Sequence, residues 1–335
     1  MLEGNRNRRE GVTILPAKSK TGFVYHDQFL LHHTGVGHPE KPDRLKAIVS
    51  QLQTTGVWNN LQHLFIDSAP TETIRLVHSS QHIKYVKERC EQAGESGNLF
   101  LDQGDTTVSS NSYSVAILAA GGVVAAVDAV CSGVLTNAFC AIRPPGHHAE
   151  TNTPMGFCLF NNVAIAARYA QEKFNVRNVA IVDWDVHHGN GTQEIFYNDP
   201  SVFYISTHQY PFYPGTGAKS ERGAGKGEGF TLNCPMKAGS SEADYLQTFK
   251  TEIVPVLDTY QPELILISAG FDAHQDDPLA NINLTENSFG LFTELLVEVA
   301  LKYSDNKIVS VLEGGYNLNA LSKSVQKHIE ILMKP

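Results

Sequence analysis

Short apolar runs alternate with longer amphipathic ones along most of this chain. The runs Ala138–Ile142, Val179–Val182, Val202–Ile205, Leu264–Ile267 and Ile308–Leu312 lack the polar alternation of a half-exposed strand. They are predicted as strands buried on both faces. The helical period predicts helices over Ser112–Val130, Asn161–Lys173, Ala243–Tyr260, Glu286–Tyr303 and Ala320–Met333. Buried strands separated by helices imply one α/β domain with a parallel sheet covered on both sides. No internal repeat, low-complexity block or Pro/Ser-rich linker divides it. The longest apolar stretch, Val115–Val130, is interrupted by Gly121, Gly122 and Asp128. It falls short of the roughly 20 residues of a membrane span and reads as a buried helix.

Every predicted strand runs at its C-terminal end into polar or glycine-rich sequence. Ala138–Ile142 leads into Arg143-Pro-Pro-Gly-His147-His148, and Val179–Val182 into Asp183-Trp-Asp185-Val-His187-His188. Val202–Ile205 leads into Ser206-Thr-His208, Leu264–Ile267 into Ser268-Ala-Gly-Phe-Asp272, and Ile308–Leu312 into Glu313-Gly-Gly-Tyr316. Open α/β sheets bind ligands outside the carboxyl ends of their strands. Five strands are thus expected to deliver their chemistry to one crest.

Asp183, Asp185 and His187 alternate with Trp184 and Val186, so an extended backbone would put all three on one face. Two carboxylates and an imidazole gathered at a strand end call for a cation, because like charges would otherwise repel. Three protein ligands with an open position describe a catalytic zinc site, and Asp272 is placed to complete the set. Oxygen and nitrogen ligands also suit iron(II) or manganese. A hydrogen-bonded network capping the strand is the alternative. His147 and His148 are acid/base candidates. Tyr316, after two glycines, is a candidate donor to a developing oxyanion. The Gly215–Gly229 stretch contains Gly225-Lys226 but is no phosphate loop: Ser220 and Gly227 stand where that pattern needs glycine and Ser/Thr. It reads as a mobile rim loop.

Composition narrows the setting. With 42% hydrophobic and 18% charged residues among 335, nothing suggests a disordered or fibrous chain. Five scattered cysteines without a C-x-x-C pair argue against a disulfide framework and a thiolate zinc site, and point to a reducing, cytoplasmic setting. No apolar secretory segment opens the chain; Arg6, Arg8 and Arg9 lie in an N-terminal extension, residues 1–20, read as solvated and flexible. A formal net charge of −9 disfavours direct nucleic-acid binding and mildly favours cationic substrates. No membrane association is expected.

Taken together, Arg143-Pro-Pro-Gly-His-His148, Gly156-Phe-Cys-Leu-Phe-Asn-Asn162, Asp183-Trp-Asp-Val-His-His-Gly-Asn-Gly-Thr192, Gly270-Phe-Asp272 and Glu313-Gly-Gly-Tyr316 resemble the histone deacetylase family. His33-Thr-Gly-Val-Gly-His-Pro-Glu40 is similar to that family's opening motif. The resemblance runs from about Phe23 onward, and Asn190 with the Glu313 motif looks like the class II branch and its bacterial relatives. It implies the single-domain arginase/deacetylase fold over residues 21–335, with an eight-stranded parallel sheet and helices on both faces. It also implies one zinc ion held by Asp185, His187 and Asp272. Asp183 would accept from His147 and, with Ser206, contact a structural potassium ion, while Asn190 would orient His148. Many relatives carry aspartate at that position, and a neutral amide holds the His148 proton less tightly.

The implied reaction is hydrolysis of an acetamide to acetate and free amine. In it, zinc and Tyr316 polarise the carbonyl and zinc acidifies the attacking water. His148 would be the base, His147 electrostatic support, and Arg44 a residue near the acetate pocket. Gly156, Phe157 and Tyr213 would flank a channel for the aliphatic stem of acetyl-lysine. Asp105 or Asp102 would serve as a rim carboxylate for substrate N–H groups. The substrates would be acetylated proteins, peptides or small amines. Tyr213 resembles some polyamine deacetylases, whereas Leu279 offers no charge to a second ammonium. An acetylpolyamine hydrolase is therefore the nearest alternative, and a catalytically weak acetyl-lysine binding module a more distant one. Long rim loops such as His208–Gly229 leave room for self-association.

Overall fold

The computed structural model describes residues 21–95, 97 and 99–334. The extension 1–20 and its arginines lie outside the described residues. Ten strands are present among them: β1 (Thr21–Val24), β2 (Gln62–His63), β3 (Leu99–Phe100), β4 (Thr107–Val108), β5 (Asn137–Cys140), β6 (Val179–Asp183), β7 (Val202–Gln209), β8 (Thr231–Met236), β9 (Leu264–Ala269) and β10 (Ile308–Leu312). Eight form one sheet in the order β2-β1-β5-β10-β9-β6-β7-β8, with every neighbouring pair parallel. β3 and β4 make a separate antiparallel pair. Strands β5, β6, β7, β9 and β10 are buried along their whole length, so both faces of the sheet are covered. This is the α/β arginase/deacetylase architecture.

The sheet order explains why the crest converges. β5 and β6 follow one another in sequence, but β10 and β9 lie between them. The five strands predicted from the sequence are thus five contiguous strands, and their carboxyl ends meet at this interruption.

The remaining sheet strands carry weak patterns for physical reasons. β2 spans two exposed residues. β1 contains Gly22, where a Cβ would lie 2.7 Å from Leu135 Cδ1. β8 is an edge strand with Asn233 and Pro235, and only an edge tolerates a proline without a ladder N–H.

The helix Ser112–Cys131 is long and apolar enough to cross a membrane by length and composition, yet it forms part of the core. Its two glycines mark close approaches: a Cβ on Gly121 would sit 1.7 Å from the Asp67 carbonyl oxygen, and one on Gly122 2.7 Å from Val24. The predicted helix Ala243–Tyr260 is divided by a π turn at Phe249–Ile253, between Glu242–Thr248 and Val254–Tyr260. Pro255 has no N–H for the carbonyl four residues back, and the ladder widens there.

The fold buries several histidines in neutral form. Burial pushes His32, His78 and His328 down to about 3 and His208 to about 4, and lowers His82. Their folded values lie below the unfolded value near 6.5, so an acidified unfolded chain takes up protons that the native state refuses. Stability is therefore full above about pH 6.5 and falls below it, by up to about 1.4 kcal/mol per pH unit for each such group. The midpoint of thermal unfolding is expected to drop steadily between about pH 6.5 and pH 5. A flat series across that interval would contradict neutral burial.

Candidate functional site

β6 ends at Asp183; the Trp184 N–H still bonds the Ser268 carbonyl of β9, and the chain bends over residues 185–187. The extended alternation expected for Asp183, Asp185 and His187 therefore does not persist. Asp183 turns away to His147, while ligand atoms of Asp185, His187 and Asp272 lie within 4.8 Å of one another. His187 Nδ1 is 3.1 Å from Asp185 Oδ1 and 3.3 Å from Asp272 Oδ2. All three residues are buried or nearly so.

The two carboxylates are held by backbone. Val186 N–H donates to Asp272 Oδ1 at 2.9 Å, and Gly314 N–H donates to Asp185 Oδ2 at 2.8 Å. Among the described residues, nothing donates a hydrogen bond to the buried Asp272 Oδ2. An orphaned carboxylate oxygen facing a second carboxylate and an imidazole is the arrangement a cation would complete. Glycine at positions 270 and 314 is obligatory for it. A Cβ there would lie 2.1 Å from Asp185 Oδ2 and 2.0 Å from Asp272 Oδ2, respectively.

The tandem histidines have opposite environments. Burial would depress His147, but Asp183 and Asp185 override it and raise the ring to about 10. Its Nδ1 lies 3.0 Å from Asp183 Oδ2, which also accepts the Tyr204 hydroxyl. His148, with its ring centroid 4.0 Å from that of His147, is driven well below 6.5 by burial and then by His147 and His187. His148 Nδ1 meets Asn190 Oδ1 at 2.8 Å, and the Asn190 amide donates to Glu150 at 2.9 Å. The Glu150 carboxylate thus fixes which way the Asn190 amide faces. That makes His148 Nδ1 the protonated nitrogen and leaves Nε2 as the basic one.

Glu313, at the end of β10, is fully buried and clamps the histidine loop. Its Oε2 accepts the N–H groups of Gly146 and His147, and its Oε1 accepts the Ser268 hydroxyl. Tyr316 is held by its backbone, with its N–H donating to Asp277 Oδ2 at 2.7 Å. Its phenol is pushed well above 10 by burial and by Asp272, so it remains a donor. The Arg44 guanidinium lies 5.1 Å from the Tyr316 ring centroid and its Nε donates to the Gly315 carbonyl. Glu40 joins Arg44 to Arg143 beneath this turn.

A cleft of about 220 Å³ opens over these groups. Gly156, Phe157, Tyr213, Leu279 and Asp105 line it with His148, His187 and Tyr316. Phe157, in the cleft wall, adopts φ 70°, a left-handed conformation costing about 1–2 kcal/mol outside glycine. Of the two rim aspartates, Asp102 closes a turn by accepting the N–H groups of Gly104, Asp105 and Thr106, which leaves Asp105 at the cleft. Ser206 stands opposite Asp183 across the β6–β7 ladder, and its hydroxyl bonds His208. His188 is structural: its ring spans Thr216 and Gln193. Together with Glu221, which accepts from Gly217 and Ala218, it ties down the glycine-rich loop expected to be mobile.

Two participants had escaped notice in the sequence. Phe212 stacks on His187 at a centroid distance of 5.6 Å; its signal was its place beside Tyr213. Asp277 acts through backbone N–H groups, which no side-chain pattern discloses.

Residues 38–332 match the histone deacetylase domain family. A probable deacetylase of Archaeoglobus fulgidus is 38% identical over 89% of this chain and 82% of its own length. Chloroplastic histone deacetylase 14 of Arabidopsis thaliana is 39% identical over 93% of this chain and 76% of its own. An uncharacterised Synechocystis protein is 43% identical over 93% and 99%. The crystal structure of the HDA15 HD domain superposes with a TM-score of 0.89 at 38% identity, covering 95% of this chain and 89% of that one.

Proposed function

The chain belongs to the histone deacetylase family, and we propose that it hydrolyses the acetamide of acetyl-lysine in a protein or peptide to acetate and free amine. The observation that carries this reading is the orphaned Asp272 oxygen within the Asp185–His187–Asp272 set beside a narrow aromatic cleft. That donor set fits one Zn²⁺ per chain and would tolerate Fe²⁺. The ion, when bound, supplies Lewis acidity to a carbonyl and acidifies a water.

The protein's own groups divide the remaining work. His148, neutral and basic at Nε2, takes the proton of the attacking water and returns one to the departing amine. His147, paired with Asp183, lends electrostatic support to the charge that develops nearby. The Tyr316 hydroxyl donates to the oxyanion. Phe157, Phe212 and Tyr213 exclude water and grip the methylene stem. A potassium ion at Asp183 and Ser206 belongs to the same proposal, supported by their adjacency across the β6–β7 ladder. So does a cytoplasmic, reducing setting, supported by five free cysteines.

Acetylpolyamine hydrolysis is the second reading: tyrosine at position 213 resembles some polyamine deacetylases, whereas Leu279 in the cleft lining offers no charge to a second ammonium. A panel of acetyl-lysine peptides and acetylated polyamines, assayed on protein of defined metal content, tests the choice. Faster turnover of the polyamines would replace the proposal; binding without turnover would reduce the protein to a reader of acetyl-lysine.

Replacing Asn190 tests the assignment of the base. A carboxylate against Nδ1 raises the His148 pKa, and the base must be unprotonated, so the acid limb of kcat/KM should move to higher pH. Glu150 stands 2.9 Å from the Asn190 amide. Asn190→Asp is therefore best combined with Glu150→Gln, which spares two facing carboxylates. An unmoved acid limb in the double variant would remove His148 from the base role.

A further inference from the structure

The two aromatic walls of the cleft are joined across its mouth by polar groups. Phe157 N–H donates to Thr106 Oγ1 at 3.2 Å, Thr106 Oγ1 lies 3.0 Å from Asp105 Oδ1, and the Tyr213 hydroxyl donates to Asp105 Oδ2 at 3.1 Å. The Thr106 hydroxyl has one proton and a nearer acceptor in Asp102 Oδ2. Tyr213 is therefore the side-chain donor that holds Asp105. The Tyr213 hydroxyl reaches this carboxylate from the opposite wall of the cleft.

The geometry of this mouth has a chemical counterpart. The stem of an acylated lysine fills the apolar passage with four methylenes and emerges as a Cα flanked by two backbone N–H groups. A carboxylate fixed at the mouth, with lone pairs still free, matches those donors. We propose that the Tyr213 hydroxyl positions Asp105 as the acceptor for peptide N–H groups. It thereby biases the cleft toward acyl-lysine within a peptide over an acylated free amine. The inference rests on the peptide reading given above.

Binding to the metal-loaded protein separates this role from simple packing. The probe is a peptide with a methyl ketone in place of the acetamide, so that nothing turns over. Its control is the isologue with ester oxygens replacing the two N–H groups that flank the lysine Cα. Calorimetric titration is expected to show Tyr213→Phe weakening the peptide about tenfold and the ester isologue less than twofold. Tyr213→Phe combined with Asp105→Ala should bind the peptide no more weakly than Asp105→Ala alone. Equal weakening of both ligands, or additive losses in the combined variant, would overturn the positioning role while leaving the peptide reading intact. A parent protein that binds neither ligand would overturn both.

Discussion

Tyr316→Phe is expected to lower kcat by about 10²–10³ while leaving KM within a few-fold. The ring is fixed from several sides: its N–H is tied to Asp277, Arg44 lies against one face, and Phe157 meets it edge-on at 6.0 Å. Removing one oxygen should leave that packing unchanged. The phenol stays protonated because burial and Asp272 both oppose its ionisation. What is lost is a donor whose partner gains charge only as the tetrahedral species forms, so the loss falls on kcat rather than on binding. Full activity in the variant would withdraw the oxyanion role. A matching rise in KM with unchanged kcat would instead make the hydroxyl a ground-state contact.

The crest was legible because it depends on strands with both faces buried. Ile308–Leu312 is strand β10 residue for residue, and Val179–Val182 differs from β6 only by the Asp183 that ends it. Such strands must be apolar throughout, and their ends must be polar where they leave the core, so function and burial are written in adjacent letters. β8 was silent because an edge strand answers to fewer packing constraints. The site divides along the same line. Asp185, His187 and Asp272 are side chains aimed at a common point, and their types disclose it. Asp277 and Glu313 act by accepting backbone N–H groups, and a carboxylate employed that way looks like any other acidic residue in a loop. The alternation of Asp183, Asp185 and His187 overstated one thing. It presumed a strand continuing past Asp183, whereas the chain bends over residues 185–187, which parts Asp185 and His187 from Asp183 and sets them beside Asp272. The choice between Asp102 and Asp105 turned on which carboxylate the local turn consumes, a matter of backbone path.

Asp272→Asn should reduce bound metal by more than tenfold and turnover by at least about 10³. The carboxamide keeps the shape and can still accept the Val186 N–H through its oxygen. It then turns an NH₂ group, a donor without a lone pair for a cation, toward His187 and Asp185. The stability consequence has the opposite sign in the two metal states. In the metal-free native protein, Asp185 and Asp272 are like charges buried together, with burial and Asp185 both raising the Asp272 carboxyl. Neutralising one of them should stabilise that state. In the loaded wild type, a ligand present at about 1,000 times its dissociation constant adds roughly 4 kcal/mol, which the variant forfeits. A chelator should therefore lower the wild-type Tm by several degrees and leave the variant unmoved. Without metal the variant should melt above the wild type, and with metal below it. That crossing cannot arise from a hydrogen-bonded network that merely caps β6. In such a network metal would be irrelevant, and chelation would shift neither protein. Elemental analysis completes the test: one transition-metal ion per wild-type chain fits the triad, whereas two such ions would require ligands beyond Asp185, His187 and Asp272.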